Sequence, residues 1–176
     1  MTAKERRFAA TAHHEAGHAV ASCHLRLRFE RVTIKPQDDS LGRVSYESPS
    51  WLAEDYPDVT RRRAKRDIIV SYAGQIAEEK FRGCKPRYGA DGDNQNIAEL
   101  AFRSCGSAEM ADAFLRECFA ASTDVVNNRW KEIQAVAAAL LERSTLTYKE
   151  TIEVITPGAT ALKRSLERSF ANPTET

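Results

Sequence analysis

Residues 14–18 read His-Glu-Ala-Gly-His, inside a stretch from Lys4 to about Arg26 that has no proline and a single glycine. Alanine, the strongest helix former, dominates the stretch. Phe8, Ala12, Ala16, Ala19, Val20, Cys23 and Leu27 recur at helical spacing and predict a buried stripe. His14 and His18 lie beside that stripe, four residues apart, so on a helix their rings stand one above the other. Two imidazoles so placed can grip one zinc ion. Glu15 projects to one side of the pair, where its carboxylate can act as general base toward a water that zinc acidifies. The arrangement is the core of a metallohydrolase, provided that the segment is helical and a third ligand exists. Two histidines beside an apolar stripe also occur as ordinary core residues or on a solvated helix face, and the pattern alone does not separate these readings. Gly17 favours the first: a mid-helix glycine costs about 1 kcal/mol relative to alanine, so close backbone approach is expected there.

The 176 residues suffice for one domain with a real core, or one domain plus a small appendage. Lys and Arg number 26 against 25 Asp and Glu, a net charge of +1, which gives no reason to invoke nucleic acid or an anionic membrane. No apolar stretch approaches the roughly 18 residues of a membrane span. The first residues, Met-Thr-Ala-Lys-Glu-Arg-Arg, are charged and hold no apolar signal segment, so the expected location is cytoplasmic. Cys23, Cys84, Cys105 and Cys118 form no C-x-x-C pair and read as free, mostly buried thiols of a reducing compartment. No Gly-x-x-x-x-Gly-Lys-Ser/Thr phosphate loop occurs, which excludes ATP binding by that route.

Beyond the first helix, Phe29–Pro36 alternates apolar and polar residues and predicts a strand; Gln37–Ser40 is a turn, and Leu41–Ser48 predicts a second strand that completes a hairpin. Pro49–Asp58 reads as a loop or flap. A long helix from a Thr60 cap to about Phe81 follows, with Ile68, Ile69, Tyr72, Ala73, Ile76, Ala77 and Phe81 as its buried stripe and Gly83 as its stop. The basic run Arg61–Arg66 reads as a solvated helix face. After a loop over Cys84–Gly92, Asp93 is the expected N-cap of a third helix. Gly106 breaks that helix, and Ser107 starts a longer helical region with a core stripe from Phe114 through Leu141. Thr147–Ile155 predicts one more short helix. The expected fold is mainly α within the α+β class: a zincin-like helical domain over residues 1–156, with a small β-hairpin sheet near the catalytic helix. Residues 157–176 are expected to form a polar tail, partly helical or mobile.

A catalytic zinc takes three protein ligands and leaves a position for water. His24 falls on a different face of the first helix from His18. The best third candidate is Asp93, a carboxylate at a helix start behind the glycine-containing segment Gly89-Ala90-Asp91-Gly92, with Glu78 next in line.

The ordered motifs resemble the peptidase domain of the FtsH-type membrane AAA zinc proteases. That family's His-Glu-Ala-Gly-His-Ala is matched by His14–Ala19, its following strand by Val32–Pro36 and its Leu-Gly strand start by Leu41-Gly42. Its Ala-Gly-x-x-Ala-Glu-Glu helix is matched by Ala73–Glu79, its Gly-Ala-x-x-Asp by Gly89–Asp93 and its Leu-Leu-Glu-x-x-x-Leu by Leu140–Leu146. The resemblance covers roughly Ala9 to Ile155. It implies that His14, His18 and Asp93 bind zinc, that Glu15 is the general base, and that Glu78 supports the zinc site by orienting a ligand histidine. A helix-surface charge is the plain alternative for Glu78. It further implies a zinc-dependent metalloendopeptidase that cuts peptide or unfolded protein substrates.

Two departures qualify the resemblance. The family's peptidase domain follows a transmembrane segment and an ATPase domain, whereas this sequence begins almost at the motif and contains neither. The expectation is therefore cleavage of unfolded or flexible peptides without ATP, unless an AAA ATPase partner or a homo-oligomer supplies the motor. The family also continues its Gly-Ala-x-x-Asp with Leu or Ile and then Ala-Thr, while Asp93 here precedes Asn94-Gln95-Asn96. Two competing readings remain: a non-catalytic adaptor or binding module that keeps the fold, and a zinc hydrolase of some non-peptide amide.

Overall fold

A computed structural model describes residues 1–36, 42–45, 57–84 and 91–156. The first helix, α1 (Ala3–His24), opens with a capping box at Thr2: the Thr2 hydroxyl accepts the Glu5 N–H at 3.2 Å, and Glu5 accepts the Thr2 N–H at 2.8 Å. Two orphan donors of the first turn are thereby satisfied. From Ala9 to Ser22 nearly every residue of α1 is buried, on all faces rather than one stripe. Phe8, expected in the stripe, is exposed, because residues 1–8 project beyond the helices that cover the rest.

The sheet joins distant parts of the chain. Strands β1 (Arg31–Thr33), β2 (Arg43–Ser45) and β3 (Thr145–Thr147) form an antiparallel sheet in the order β2-β1-β3. Val32 of β1 faces Val44 on one side and Leu146 on the other. The expected hairpin is present, with shorter strands than the alternation predicted, and β3 adds a partner that the prediction lacked. Phe29, Val32 and Ile34 are all buried. The predicted turn over Gln37–Ser40 and most of the predicted loop over Pro49–Asp58 lie outside the described residues.

Helix α2 (Pro57–Arg82) begins before Thr60, which lies inside the helix and is not its cap. Proline fits the first helical position because its φ is preset and its missing N–H would have had no helical partner. Gly83 stops the helix with φ at +72°, donating its N–H to the Glu79 carbonyl. The basic run is not a solvated face. Arg61 donates to the Ser104 carbonyl and stacks over the Phe114 ring, Arg63 pairs with Asp67, Lys65 with Glu117, and Arg66 reaches the Leu25 carbonyl. These contacts tie the start of α2 to its neighbours.

Helix α3 (Asp91–Ser104) starts three residues earlier than a cap at Asp93 would place it, so Asp93 sits in its first turn instead of capping it. Helix α4 (Ala108–Asn128) is capped by Ser107, whose hydroxyl accepts the Met110 N–H. Arg129 then breaks the helical region before α5 (Trp130–Arg143). Ser144 takes a left-handed conformation and hands the chain to β3, and α6 (Tyr148–Ile155) follows with a second capping box at Thr147 and Glu150.

Two apolar clusters hold these elements together. The larger joins α1, β1, α2, α5 and β3 through Val20, Val32, Ile34, Ala73, Ile133, Leu140 and Leu146. The smaller joins α2, α3 and α4 through Ile68, Ile69, Ile97, Phe114 and Cys118. Helix α2 belongs to both, and α1 packs along it. A Cβ on Gly17 would lie 2.5 Å from the Ala73 carbonyl oxygen and 2.8 Å from the Ala77 Cβ. The close approach inferred from Gly17 is therefore the contact between α1 and α2.

Candidate metal centre

His14 and His18, one turn apart on α1, bring their Nε2 atoms within 3.0 Å. Asp93 reaches across from the first turn of α3, its Oδ2 lying 3.1 Å from His14 Nε2 and 3.3 Å from His18 Nε2. Among the described residues this trio is the group of metal-ligating side chains whose donor atoms converge. Zinc bonds of about 2.0–2.1 Å in a tetrahedron put neighbouring ligand atoms roughly 3.3 Å apart, so the triangle has the dimensions of three ligand positions. Two neutral nitrogens and a carboxylate oxygen suit zinc chemically as well. No other described cluster offers a comparable set.

The far nitrogen of each ring is held by α2. His18 Nδ1 lies 2.8 Å from the Val70 carbonyl oxygen. A carbonyl only accepts, so Nδ1 carries the hydrogen and Nε2 keeps its lone pair for the centre. His14 Nδ1 lies 3.1 Å from Glu78 Oε2, and Glu78 Oε1 accepts from Arg82 Nε at 2.7 Å. A carboxylate so placed fixes a histidine's orientation and tautomer. Glu78, expected to be either such a support or a surface charge, is buried against His14. His24 is exposed at the end of α1, away from the cluster. His13 is buried separately, stacked on Phe81.

Glu15 is buried on α1 and is not part of the converging trio. Its neighbour is the start of β2: a Cβ on Gly42 would lie 2.6 Å from Glu15 Oε1. Position 42 thus has no room for a side chain, and the strand's backbone passes directly beside the carboxylate.

Electrostatics tie the cluster together. Burial alone would depress the His14 pKa, but hydrogen bonds to Asp93 and Glu78 and the charge of Glu15 outweigh it and raise the value to about 10. His18 is also raised, as the Asp93 charge and hydrogen bond overcome burial. Burial would lift the Asp93 carboxyl, yet the two imidazoles hold it well below the usual carboxylate range. His14 and Arg82 likewise keep Glu78 low against the effect of burial. Glu15 moves the other way: its burial dominates the opposing charges of His18 and His14 and raises its pKa.

Several contributors carry no side-chain signature. The Val70 carbonyl is a backbone atom, and Gly42 acts by lacking a side chain. Arg82 had a weak signal, a cation four residues after an acid on a helix. The polar residues after Asp93 bond back to α2: Gln75 donates to Asn94 at 3.0 Å, and Asn96 donates to the buried Ser71 hydroxyl at 3.0 Å.

The model of Peptidase family M41 matches residues 1–114. The chain belongs to that family. It is 28% identical to the ATP-dependent zinc metalloprotease FTSH 9, chloroplastic/mitochondrial, of Oryza sativa, over 84% of this chain and 22% of the rice protein. It is 26% identical to the ATP-dependent zinc metalloprotease FtsH of Neorickettsia risticii, over 89% of this chain and 29% of that protein. A shorter match, 34% identical over 51% of this chain and 11% of the relative, is to the mitochondrial inner membrane m-AAA protease component yta12 of Schizosaccharomyces pombe. The chain therefore corresponds to less than a third of the length of these M41 relatives. No helix among its described residues is long and apolar enough to cross a membrane.

Proposed function

We propose that this chain is a zinc-dependent metalloendopeptidase that hydrolyses unfolded or flexible polypeptide, with Glu15 as general base. The observation that carries the proposal is the convergence of His14 Nε2, His18 Nε2 and Asp93 Oδ2 within 3.0–3.3 Å of one another, in a chain of a zinc peptidase family. These three residues would hold the zinc. Bound zinc would polarise the scissile carbonyl and acidify a water.

The rest of the chemistry falls to the chain's own groups. Glu15 accepts the proton of the attacking water and passes it to the leaving amine. Glu78 and the Val70 carbonyl keep both imidazoles aimed inward. Among the described residues β2 is an edge strand of the sheet, and its start runs beside Glu15. A substrate in extended form would add to that edge and bring its scissile bond to the carboxylate. Such binding needs a chain already free of structure, hence the preference for unfolded segments.

Two of the named relatives are ATP-dependent zinc metalloproteases, and this chain spans a minor part of their length. Cleavage of folded substrates would then require a motor from an AAA ATPase partner or a homo-oligomer, while unfolded chains need none. The site of action we propose is cytoplasmic. Zinc content and cleavage of unfolded casein without ATP, for parent and Glu15→Gln, test the reading. One zinc per chain with cleavage lost in the variant is the expected result. Equal cleavage by the variant would remove Glu15 as the base, and zinc without cleavage in the parent would point to a binding module that keeps the fold.

A further inference from the structure

Helix α2 contains one glycine, Gly74, whose conformation does not explain it. Its backbone is ordinary helix; among the described glycines only Gly83 has positive φ. An interior glycine weakens a helix by about 1 kcal/mol relative to alanine, so the position has another use. Its surroundings supply one. A Cβ on Gly74 would overlap the His18 ring at Cε1 and Nε2 and would lie 2.9 Å from Cδ2.

Helix geometry explains why the overlap falls there. The Val70 carbonyl points along α2 toward the N–H of Gly74, one turn on. His18 Nδ1 takes the same carbonyl from the side, at 2.8 Å. A Cβ in a helix tilts toward the N-terminus and covers the turn before it. A side chain at 74 would therefore lie across the space through which the ring reaches Val70. The atoms struck include Nε2, the nitrogen that faces His14 and Asp93.

Gly17, on the opposite wall of the same helix contact, differs. Its added Cβ would meet the Ala73 carbonyl and the Ala77 Cβ, groups of the helix α2 itself and none of the cluster. Gly17 lets the helices approach, whereas Gly74 receives a ring.

We infer that Gly74 is a positioning residue of the metal centre: its missing side chain is the slot that seats the His18 ring, with Nδ1 on the Val70 carbonyl and Nε2 facing the centre. The functional meaning rests on the metal reading above, but the contact itself does not, and the two are tested separately.

The first test uses metal-free full-length protein and a double-mutant cycle of Gly74→Ala and His18→Ala, read by thermal unfolding. Gly74→Ala alone lowers the midpoint. In the His18→Ala background the same change raises it by about 2–4 °C, because the clash is gone and only the gain in helix propensity is left. Gly17→Ala, as a control, lowers the midpoint in both backgrounds. A single variant that fails to fold while the double variant folds supports the slot. Equal loss from Gly74→Ala in both backgrounds, or failure of both to fold, overturns it.

The second test is cobalt and zinc binding, with the cobalt absorption bands reporting ligand geometry. Gly74→Ala should weaken affinity by about 10–100-fold, the range for outer supports of a metal ligand, and alter the cobalt spectrum. Unchanged affinity and spectrum overturn the positioning role even if the cycle shows contact. If His18→Ala binds zinc as tightly as the parent, the metal reading fails, and Gly74's role at the metal falls with it. The unfolding cycle then still reports whether the slot exists.

Discussion

The two sides of the metal centre are built in different ways. On one side, α1 and α2 meet through Gly17, Ala73, Ala77 and Gly74, and the imidazoles they enclose are about a tenth exposed. Every far nitrogen there is assigned to a buried partner. On the other side, Asp93 arrives on the first turn of α3, its side chain 23% exposed, and that turn is fastened to α2 by amide and hydroxyl hydrogen bonds. Asn94 and Asn96 themselves are exposed. The two histidines are enclosed by packing between α1 and α2, whereas Asp93 stands at the more open start of a helix that Asn94, Asn96 and the buried Ile97 tie to α2.

That contrast can be broken most directly by removing one ligand from each side. His18→Ala should abolish most of the zinc affinity, and Asp93→Ala should weaken it but leave the two histidines in place; isothermal titration with zinc checks both. Full occupancy in Asp93→Ala would return the third position to Glu78. Glu78→Gln is expected to lower affinity by about 10–100-fold, since the amide cannot hold His14 Nδ1 with a negative charge. A variant with parental affinity would make Glu78 a mere neighbour.

Acidity sharpens the comparison next. In the metal-free cluster His14 holds its proton up to about pH 10, yet a zinc ligand must be neutral. Zinc therefore has to displace a proton at neutral pH. Its affinity should rise with pH by about tenfold per unit below that pKa for each proton released, and the binding enthalpy should change with the ionisation heat of the buffer. Binding with no proton release would show that His14 is already neutral. The smallest effect belongs to the fastening. Asn96→Ala removes a hydrogen bond worth about 0.5–1.5 kcal/mol, part of which water restores at an exposed site. Zinc affinity should fall only severalfold while the thermal midpoint shifts little. A loss as large as that of Asp93→Ala would mean that the α3 side is not the loosely held one.

Much of this was legible in the residues because the signals are local. The four-residue spacing of His14 and His18, the alanine-rich helix around them and the stop at Gly83 all follow from helical periodicity and backbone preference. Asp93 was legible as a partner of His14 and His18 through motif order, yet its place in the helix was read three residues off, because helix ends are weakly specified. Strand β3 has only Thr145–Thr147, too short to show alternation, and its partner lies more than a hundred residues away. The slot at Gly74 and the Val70 carbonyl are features of space between two helices, and a linear pattern does not encode them. The all-round burial of α1 was missed for the same reason: it depends on how many elements surround the helix, not on the helix's own pattern.

The pairing of β1 with β3 also governs the order of events during synthesis. The motif helix emerges more than a hundred residues before Thr145–Thr147 can give β1 its second neighbour, and α5, which covers α1, emerges directly ahead of β3. Contacts of such long range form slowly and late. The apolar face of α1 that α5 covers thus stays unscreened over that stretch, and a peptide ending ahead of β3 would expose it together with an unpaired strand edge. Closure of the sheet beside α1 therefore waits on residues made long after the His14–His18 pair.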